Sequence, residues 1–380
     1  MKKKLKDICT QVRGVSYKPS DLRDEKSGVP ILRANNIQDT GIVLDELVYV
    51  DSSKVHSEQY LLTDDIVICT SSGSKNLIGK AATFKSSLNA SFGAFCKVVR
   101  INNSDDLFKA YIQQYFQSKI YRNAISESSA GANINNIKTE DIETLEISLP
   151  PKEDQQKIAA ELDTIQSAIN NKKQQLSLLD EAVKSEFVEM FGNPIANEKN
   201  WTKKTMIDVC PIKEYEFLPS ENEWILNLDM IESNTGTILE KVISPLAEIG
   251  NSTIKFSQNH VLYSKLRPYL NKVALPDSYG FATSELIPFL PGKEINKIYF
   301  ATFLRSEPFV ELINSKSGGA KMPRASMDFL RKFEIPVPPI DLQNDFATFV
   351  QQIDKSKFIV KQQIADLQEL LDSKMQEYFS

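Results

Sequence analysis

Few residues in this chain of 380 have the types and spacing that catalysis needs. Its two histidines, His56 and His260, sit at no metal-ligand spacing, and both read as solvated surface. Pro276-Asp277 with Glu285 begins the carboxylate pattern of a metal-dependent nuclease, yet no lysine follows Glu285 where that pattern needs one. Asn193-Pro194-Ile195 is the nearest approach to the Asn/Asp-Pro-Pro-aromatic motif of an adenine methyltransferase. It lacks the second proline and the aromatic, and reads as a helix stop. No Ser/His/Asp constellation stands out. TSSGSKN (70–76) lacks the GxxxxGK[ST] spacing of a phosphate-cradling loop. The chain reads as non-catalytic, with no metal and no cofactor.

What remains is chemistry suited to contacting a nucleic acid, in two loops of each half. The first half offers Ser71, Ser72, Ser74, Lys75 and Asn76, then Asn133, Asn135 and Asn136 within SSAGANINN (128–136). The second half offers Lys265, Arg267, Tyr269 and Lys272 within 264–272, then Lys316, Lys321 and Arg324 within KSGGAKMPRAS (316–326). Asparagine pairs bidentately with adenine, arginine and lysine with guanine or phosphate, and serine with any base edge. Ordinary solvated loops, drifting neutrally after a duplication, are the competing reading.

The elements that must hold these loops are duplicated. The interval from Pro150-Pro151 to Pro338-Pro339 is the same as that from Phe191 to Phe379. An internal repeat fixes the architecture before any motif does. Each copy has a mixed domain, a Pro-Pro turn and a long helical stripe. The first stripe holds Ile158, Leu162, Ile165, Ile169, Leu176, Leu179, Val183, Phe187 and Met190. The second holds Phe346, Val350, Ile353, Val360, Ile364, Leu367, Leu371, Met375 and Tyr378. Spacings of three, four and seven mark helices. Proline is tolerated only at their starts, and Gly192 with Pro194 stops the first. Some 36 residues span about 54 Å. A stripe of that length needs cover, and the matching stripe of the other copy supplies it as an antiparallel coiled coil. Lys357 replaces Ile169, and Val360 replaces Lys172.

Within 1–150, strands are expected over 29–37, 41–50, 64–74, 78–84, 93–101 and 145–150, with a helix over 106–125. The second mixed domain, 194–338, repeats the order, with strands at 223–231, 259–275 and 280–290 and a helix over 299–313. The spacer helices occupy 151–193 and 339–380. The fold class is α+β.

The apolar fraction of 41% and charged fraction of 25% suit a soluble protein. Cys9, Cys69, Cys96 and Cys210 have no CxxC spacing, which argues for reduced thiols in a cytosol and against structural zinc. The start, MKKKLKDIC, leads into no apolar run, so it does not read as a signal peptide, and nothing approaches a membrane span. A net charge of −5 is unlike a protein that grips nucleic acid mainly by its phosphates, so any such role rests on local basic loops or on a partner.

Three stretches resemble the specificity subunit of type I restriction-modification systems. They are SLPPKEDQQKIA (148–159) with PVPPIDLQNDFA (336–347), FGNPIANEKNW (191–201), and SKLRPYLNKVA (264–274). The duplicated order covers essentially the whole chain, although the first half lacks the KLRPYLNK wording. The resemblance implies two target-recognition domains, each reading half of a split, asymmetric site in double-stranded DNA. It implies helices that set the spacing, about 16 base pairs for about 54 Å. Those helices would also dock methyltransferase subunits, two copies being expected, with restriction and translocase subunits as further candidates, in the cytoplasm. A coiled-coil scaffold joining other proteins, and a catalytic chain with an unrecognised site, stand as alternatives.

Overall fold

The computed structural model describes residues 1–38, 41–74, 77–103, 105–129, 136–318 and 322–380. The chain divides into two compact units: Met1–Gln174 with Lys361–Ser380, and Gln175–Val360. The first long helix runs Lys152–Phe191 and the second Ile340–Phe379, so each unit holds part of both.

In the first unit, an antiparallel sheet orders Cys9–Arg13, Cys96–Ile101, Ile66–Cys69 and Ala81–Thr83. Ile66–Cys69 is buried throughout, as its unbroken apolar run requires. A second sheet orders Ser91–Phe92, Val29–Leu32, Val48–Val50 and Leu22–Arg23, its first pair parallel. The basic start is itself a strand: Lys2–Lys4 pairs antiparallel with Glu146–Ser148, the strand before Pro150. The second unit repeats that closure, pairing Lys203–Thr205 with Glu334–Pro336. Its sheets order Val242–Pro245, Asn222–Leu226, Gly280–Thr283 and Thr253–Phe256, and separately Val273–Ala274, Val261–Ser264 and Leu286–Phe289.

The single helices expected over 106–125 and 299–313 are each two. Helices Asp106–Gln117 and Lys119–Ser129 part at Ser118. Helices Lys297–Arg305 and Glu307–Ser315 part at Ser306. The Ser118 hydroxyl donates to the Tyr115 carbonyl at 2.6 Å and accepts the Tyr121 N–H at 3.1 Å, closing one helix and capping the next. Ser306, its counterpart in the repeat, donates to the Phe303 carbonyl at 2.7 Å, and Pro308 occupies the first turn beyond it.

Pairing of the long helices is antiparallel in each unit, the start of one lying with the end of the other. In the first unit Leu162, Ile165 and Ile169 share a core with Leu371, Met375 and Phe379, and Ile158, Ile364 and Leu367 pack against it. Tyr378 donates to Glu161 at 2.6 Å. In the second unit Phe187 and Phe191 share a core with Phe346 and Val350, with Val183 half-buried against it. Leu176, Leu179 and Ile353 are half-buried. Lys357 on the stripe is neutralised by an ion pair with Asp180. Gly192 at φ +76° ends the first helix, the Asn193 carboxamide accepts the Ile195 N–H at 2.9 Å, and the Trp201 indole donates to the Phe191 carbonyl at 3.1 Å. The FGNPIANEKNW stretch is thus a helix terminator.

His260 is a correction: it is 1% exposed. Its Nδ1 accepts the Ser257 N–H at 3.0 Å, which makes Nε2 the donor to the Lys213 carbonyl at 2.8 Å. Burial holds this neutral ring's pKa below the ordinary 6.5. His56 is exposed. All four cysteines are buried and free, and burial pushes the Cys9 and Cys96 thiols up to about 12. No helix among the described residues is long and apolar enough to cross a membrane.

The Gln in each Pro-Pro junction is structural. Gln155 donates to the Pro150 carbonyl at 2.8 Å. Gln343, fully buried, donates to Pro338 at 2.8 Å and Glu294 at 3.0 Å, and accepts the Asn296 N–H at 2.9 Å. At about 1 kcal/mol per bond, Gln343→Ala should cost about 3 kcal/mol and Gln155→Ala about 1, read from urea unfolding. Equal losses would refute the assignment. For His260, the unfolded ring takes a proton near pH 6.5 while the folded ring resists it. Its stabilisation is therefore complete above 6.5 and is lost as pH falls through 6.5 towards the depressed folded value. Unfolding midpoints should drop between about pH 7.5 and 5.5, with a smaller drop in His260→Gln.

Candidate nucleic-acid interface

In each unit one strand runs out into the first predicted loop, and the second predicted loop returns to lie against it. In the first unit the strand is Ile66–Cys69. Ser71 forms an isolated antiparallel bridge with Asn136, and the Ile137 N–H donates to the Thr70 carbonyl at 2.9 Å. In the second unit the strand is Val261–Ser264. Leu266 bridges Arg324, and the Ala325 N–H donates to the Lys265 carbonyl at 2.8 Å. Asn136 and Arg324 occupy equivalent positions of the repeat, as do Ile137 and Ala325, so the same backbone bond recurs. The tip of a turn between strands of two different sheets clamps the loop from the other side. The Phe95 carbonyl accepts the Thr70 N–H at 2.9 Å, and the Glu285 carbonyl accepts the Lys265 N–H at 3.0 Å.

Over this common frame the side chains differ. The first unit presents half-buried Ser71 and Ser72, exposed Ser74 and exposed Asn136. The predicted contacts Lys75, Asn76, Asn133, Asn135 and Lys321 lie outside the described residues, with Gly131 and its repeat partner Gly319. In the second unit Lys265 and Arg267 are half-buried, Tyr269 is 51% exposed and Lys316 is exposed. Among the described residues, the side chains of Lys265 and Arg267 make no hydrogen bond or ion pair within the protein.

Two predicted contacts are already engaged. Lys272 Nζ donates to the Leu228 carbonyl at 2.6 Å, which ties its ammonium into the fold. Arg324 pairs with Glu285 at 3.1 Å, and that hydrogen bond raises the already high guanidinium pKa, so the charge is permanent. Glu285 therefore faces an arginine, and Asp277 faces Lys241 at 2.6 Å, whose hydrogen bond lowers the carboxyl's pKa. The two carboxylates of the nuclease-like pattern are each neutralised by a different cation. Among the described residues no cluster of three or more His, Cys, Asp or Glu could hold a metal.

Backbone strain gathers at the second-unit loop. Arg267 (φ 50°, ψ 63°) and Asn271 (φ 50°, ψ 50°) are left-handed on either side of the Pro268–Leu270 turn. Each such residue costs about 1–2 kcal/mol, and a residue before proline is further restricted. The turn is held by the Arg267 N–H on the Pro323 carbonyl at 2.8 Å and by Asn271 on the Arg305 carbonyl at 3.0 Å. Sequence reading missed the turn residues Phe95 and Glu285 as members of the candidate site. Position gave no signal, because the tips are joined to the loops by main-chain bonds.

A family model, the type I restriction modification DNA specificity domain, matches residues 1–179 and 198–369. The type I restriction enzyme EcoKI specificity subunit of Escherichia coli (strain K12) is 38% identical over 181 residues. That stretch is 47% of this chain and 38% of the relative, so the chain spans well under half of that relative's length. The same shares hold for the StySPI specificity subunit of Salmonella potsdam. The putative type I restriction enzyme MjaX specificity subunit of Methanocaldococcus jannaschii is 24% identical over 387 residues, covering 93% of this chain and 86% of the relative. Among solved structures, the type I restriction-modification S subunit from M. genitalium aligns with a TM-score of 0.53 at 15% identity, over 100% of this chain and 96% of the other. A chain from a study of assembly and conformational transition of the type I R-M system aligns at 0.55, also with 15% identity, over 100% and 97%. At that identity the structures speak to fold alone. Two tandem matches cover most of the chain, on a duplicated frame of mixed modules and long helices. This chain therefore belongs to the family defined by the type I restriction modification DNA specificity domain.

Proposed function

We propose that this chain is the DNA-reading specificity subunit of a type I restriction-modification complex. Target-recognition domains at 1–150 and 194–338 each read one half of a bipartite, asymmetric site in double-stranded DNA. The helical segments 151–193 and 339–380 set the spacing and dock methyltransferase subunits, two copies per chain. The chain is itself non-catalytic, works in the cytoplasm, and directs adenine methylation by those partners, with restriction subunits joining the same assembly.

The observation that carries this reading is the repeated main-chain bridge, Ser71 to Asn136 and Leu266 to Arg324, under loops of different chemistry. A fixed frame with variable side chains suits two readers of unlike half-sites. Hydroxyls and Asn136 suit adenine and mixed edges, while Lys265, Arg267 and Arg324 suit guanine or phosphate. Tyr269 and Lys316 add exposed contacts nearby in the chain. Lys272 acts through the backbone it braces. A helix of 40 residues is about 60 Å long, about 18 base pairs of duplex.

Methylation mapping of DNA from cells carrying this chain and its methyltransferase tests the proposal directly: a gapped, asymmetric motif is expected, and methylation without a gapped motif refutes it. Arg267→Ala or Arg324→Ala should relax choice at one position of the second half-site by about 1–3 kcal/mol and leave the first half-site unchanged. Equal loss in both halves would count against independent readers. Removing one helical turn between Ile165 and Leu176 should shorten the gap and keep both half-sites. An unaltered gap in a folded variant would exclude the helices as the ruler.

A further inference from the structure

Phe95 is 68% exposed, yet its backbone is tied down by several hydrogen bonds. Its carbonyl accepts the Thr70 N–H at 2.9 Å, the Ser71 N–H at 3.1 Å and the Thr70 hydroxyl at 3.1 Å. Behind it, the Cys96 N–H donates to Gly93 at 2.8 Å and the Ala94 N–H to Val15 at 3.0 Å. A Cβ on Gly14 would sit 2.1 Å from the Gly93 carbonyl oxygen, so two backbones meet directly beneath the turn. The ring thus stands in solvent on a mount that cannot drift.

The second unit shows where a side chain at this tip reaches. Its counterpart, Glu285, spans to Arg324 at 3.1 Å, and Arg324 is the repeat partner of Asn136. Tip and bridged loop residue share one space there. In the first unit the Phe95 carbonyl is bonded to Thr70 and Ser71, and Ser71 bridges the exposed Asn136, so the exposed Phe95 stands on the same backbone frame as the serine loop and Asn136. Among the described residues there, Ser71, Ser72, Ser74 and Asn136 are hydrogen-bonding groups, and Phe95 is the large apolar side chain. On the major-groove edges of B-DNA, the apolar feature is the thymine 5-methyl group.

We propose that Phe95 is a specificity-determining residue of the first module, selecting thymine at one position of its half-site by packing against the 5-methyl group. This rests on the DNA-reading function proposed above. It adds a residue and a base identity that the loop residues do not supply.

The test uses the full chain with its methyltransferase subunits and a duplex carrying the mapped site. Each thymine of the first half-site is replaced in turn by deoxyuridine, which pairs alike but lacks the methyl. Wild type should lose about fourfold in affinity at one position. Phe95→Ala should bind thymine and deoxyuridine equally there, and Phe95→Leu should keep part of the preference. Replacements in the second half-site should affect wild type and Phe95→Ala alike. A thymine preference that survives in Phe95→Ala, a first half-site without thymine, or uniform weakening on all duplexes would each overturn the proposal. Uniform weakening would make the ring a wedge between base steps. Loss of subunit assembly without loss of thymine preference would make it a protein contact. If the wild-type complex shows no sequence preference in either half, the DNA-reading function fails with it, a result distinct from a preference that Phe95 does not control.

Discussion

Each unit is closed by a phenylalanine delivered from the far end of a long helix. In the first unit Phe379 packs on Tyr111 and Tyr115 with ring centroids 5.2 and 5.7 Å apart. In the second, Phe191 packs on Tyr299 and Phe346 at 4.8 and 5.5 Å. Tyr111 and Tyr299 are repeat partners, and their hydroxyls do the same work. One donates to the Ser148 carbonyl at 2.8 Å and the other to the Pro336 carbonyl at 3.0 Å. Each tyrosine therefore ties a helix end to the strand that precedes the other helix. Aromatic rings of this size bury the largest apolar areas in a core, and their loss typically costs about 3–5 kcal/mol. The first helix leaves one unit and finishes the core of the other, and the second helix returns the favour. Neither core is complete without residues from both helices.

That dependence explains how much freedom the loops have. Stability sits in the helix stripes, the aromatic closure and the Gln junctions. The pairing between the two candidate loops of each unit is made by main-chain bonds: Ile137 to Thr70 and Ala325 to Lys265. A main-chain bond is indifferent to the side chain above it. Ser71 can be answered by Leu266, and Asn136 by Arg324, at little cost to the frame. Strain tolerated at Arg267 and Asn271 belongs to the same logic, since unfavourable φ values persist only where surrounding bonds over-determine them.

The repeat, the long helices and their stops were legible because each is a local or periodic signal: a constant offset between matching segments, an apolar stripe, a Gly-Pro terminator. The helix breaks at Ser118 and Ser306 were not, because a serine inside a helical stripe looks neutral until its hydroxyl is seen capping the next turn. Lys2–Lys4 carries no alternation, and is a strand because Glu146–Ser148 offers it an edge. His260 looked solvated since its partners are backbone groups of Ser257 and Lys213, and the second is distant in the chain. The loops themselves were found by composition. Their pairing was invisible, for it is made by main-chain atoms far apart in sequence, which leave no trace in side-chain type.

Net charge sets the last constraint. At −5 the chain as a whole repels a phosphate backbone, so the non-specific attraction that carries many DNA-binding proteins is weak here. Basic side chains at the candidate face are partly spent inside the protein: Lys272 on Leu228, Arg324 on Glu285. An arginine already paired with a carboxylate gains little from a phosphate in open solvent. It gains more from a guanine edge that satisfies its fork bidentately. Restraining the cation thus lowers affinity for any duplex more than for the right one. Under the function proposed above, such a pair favours choice over grip.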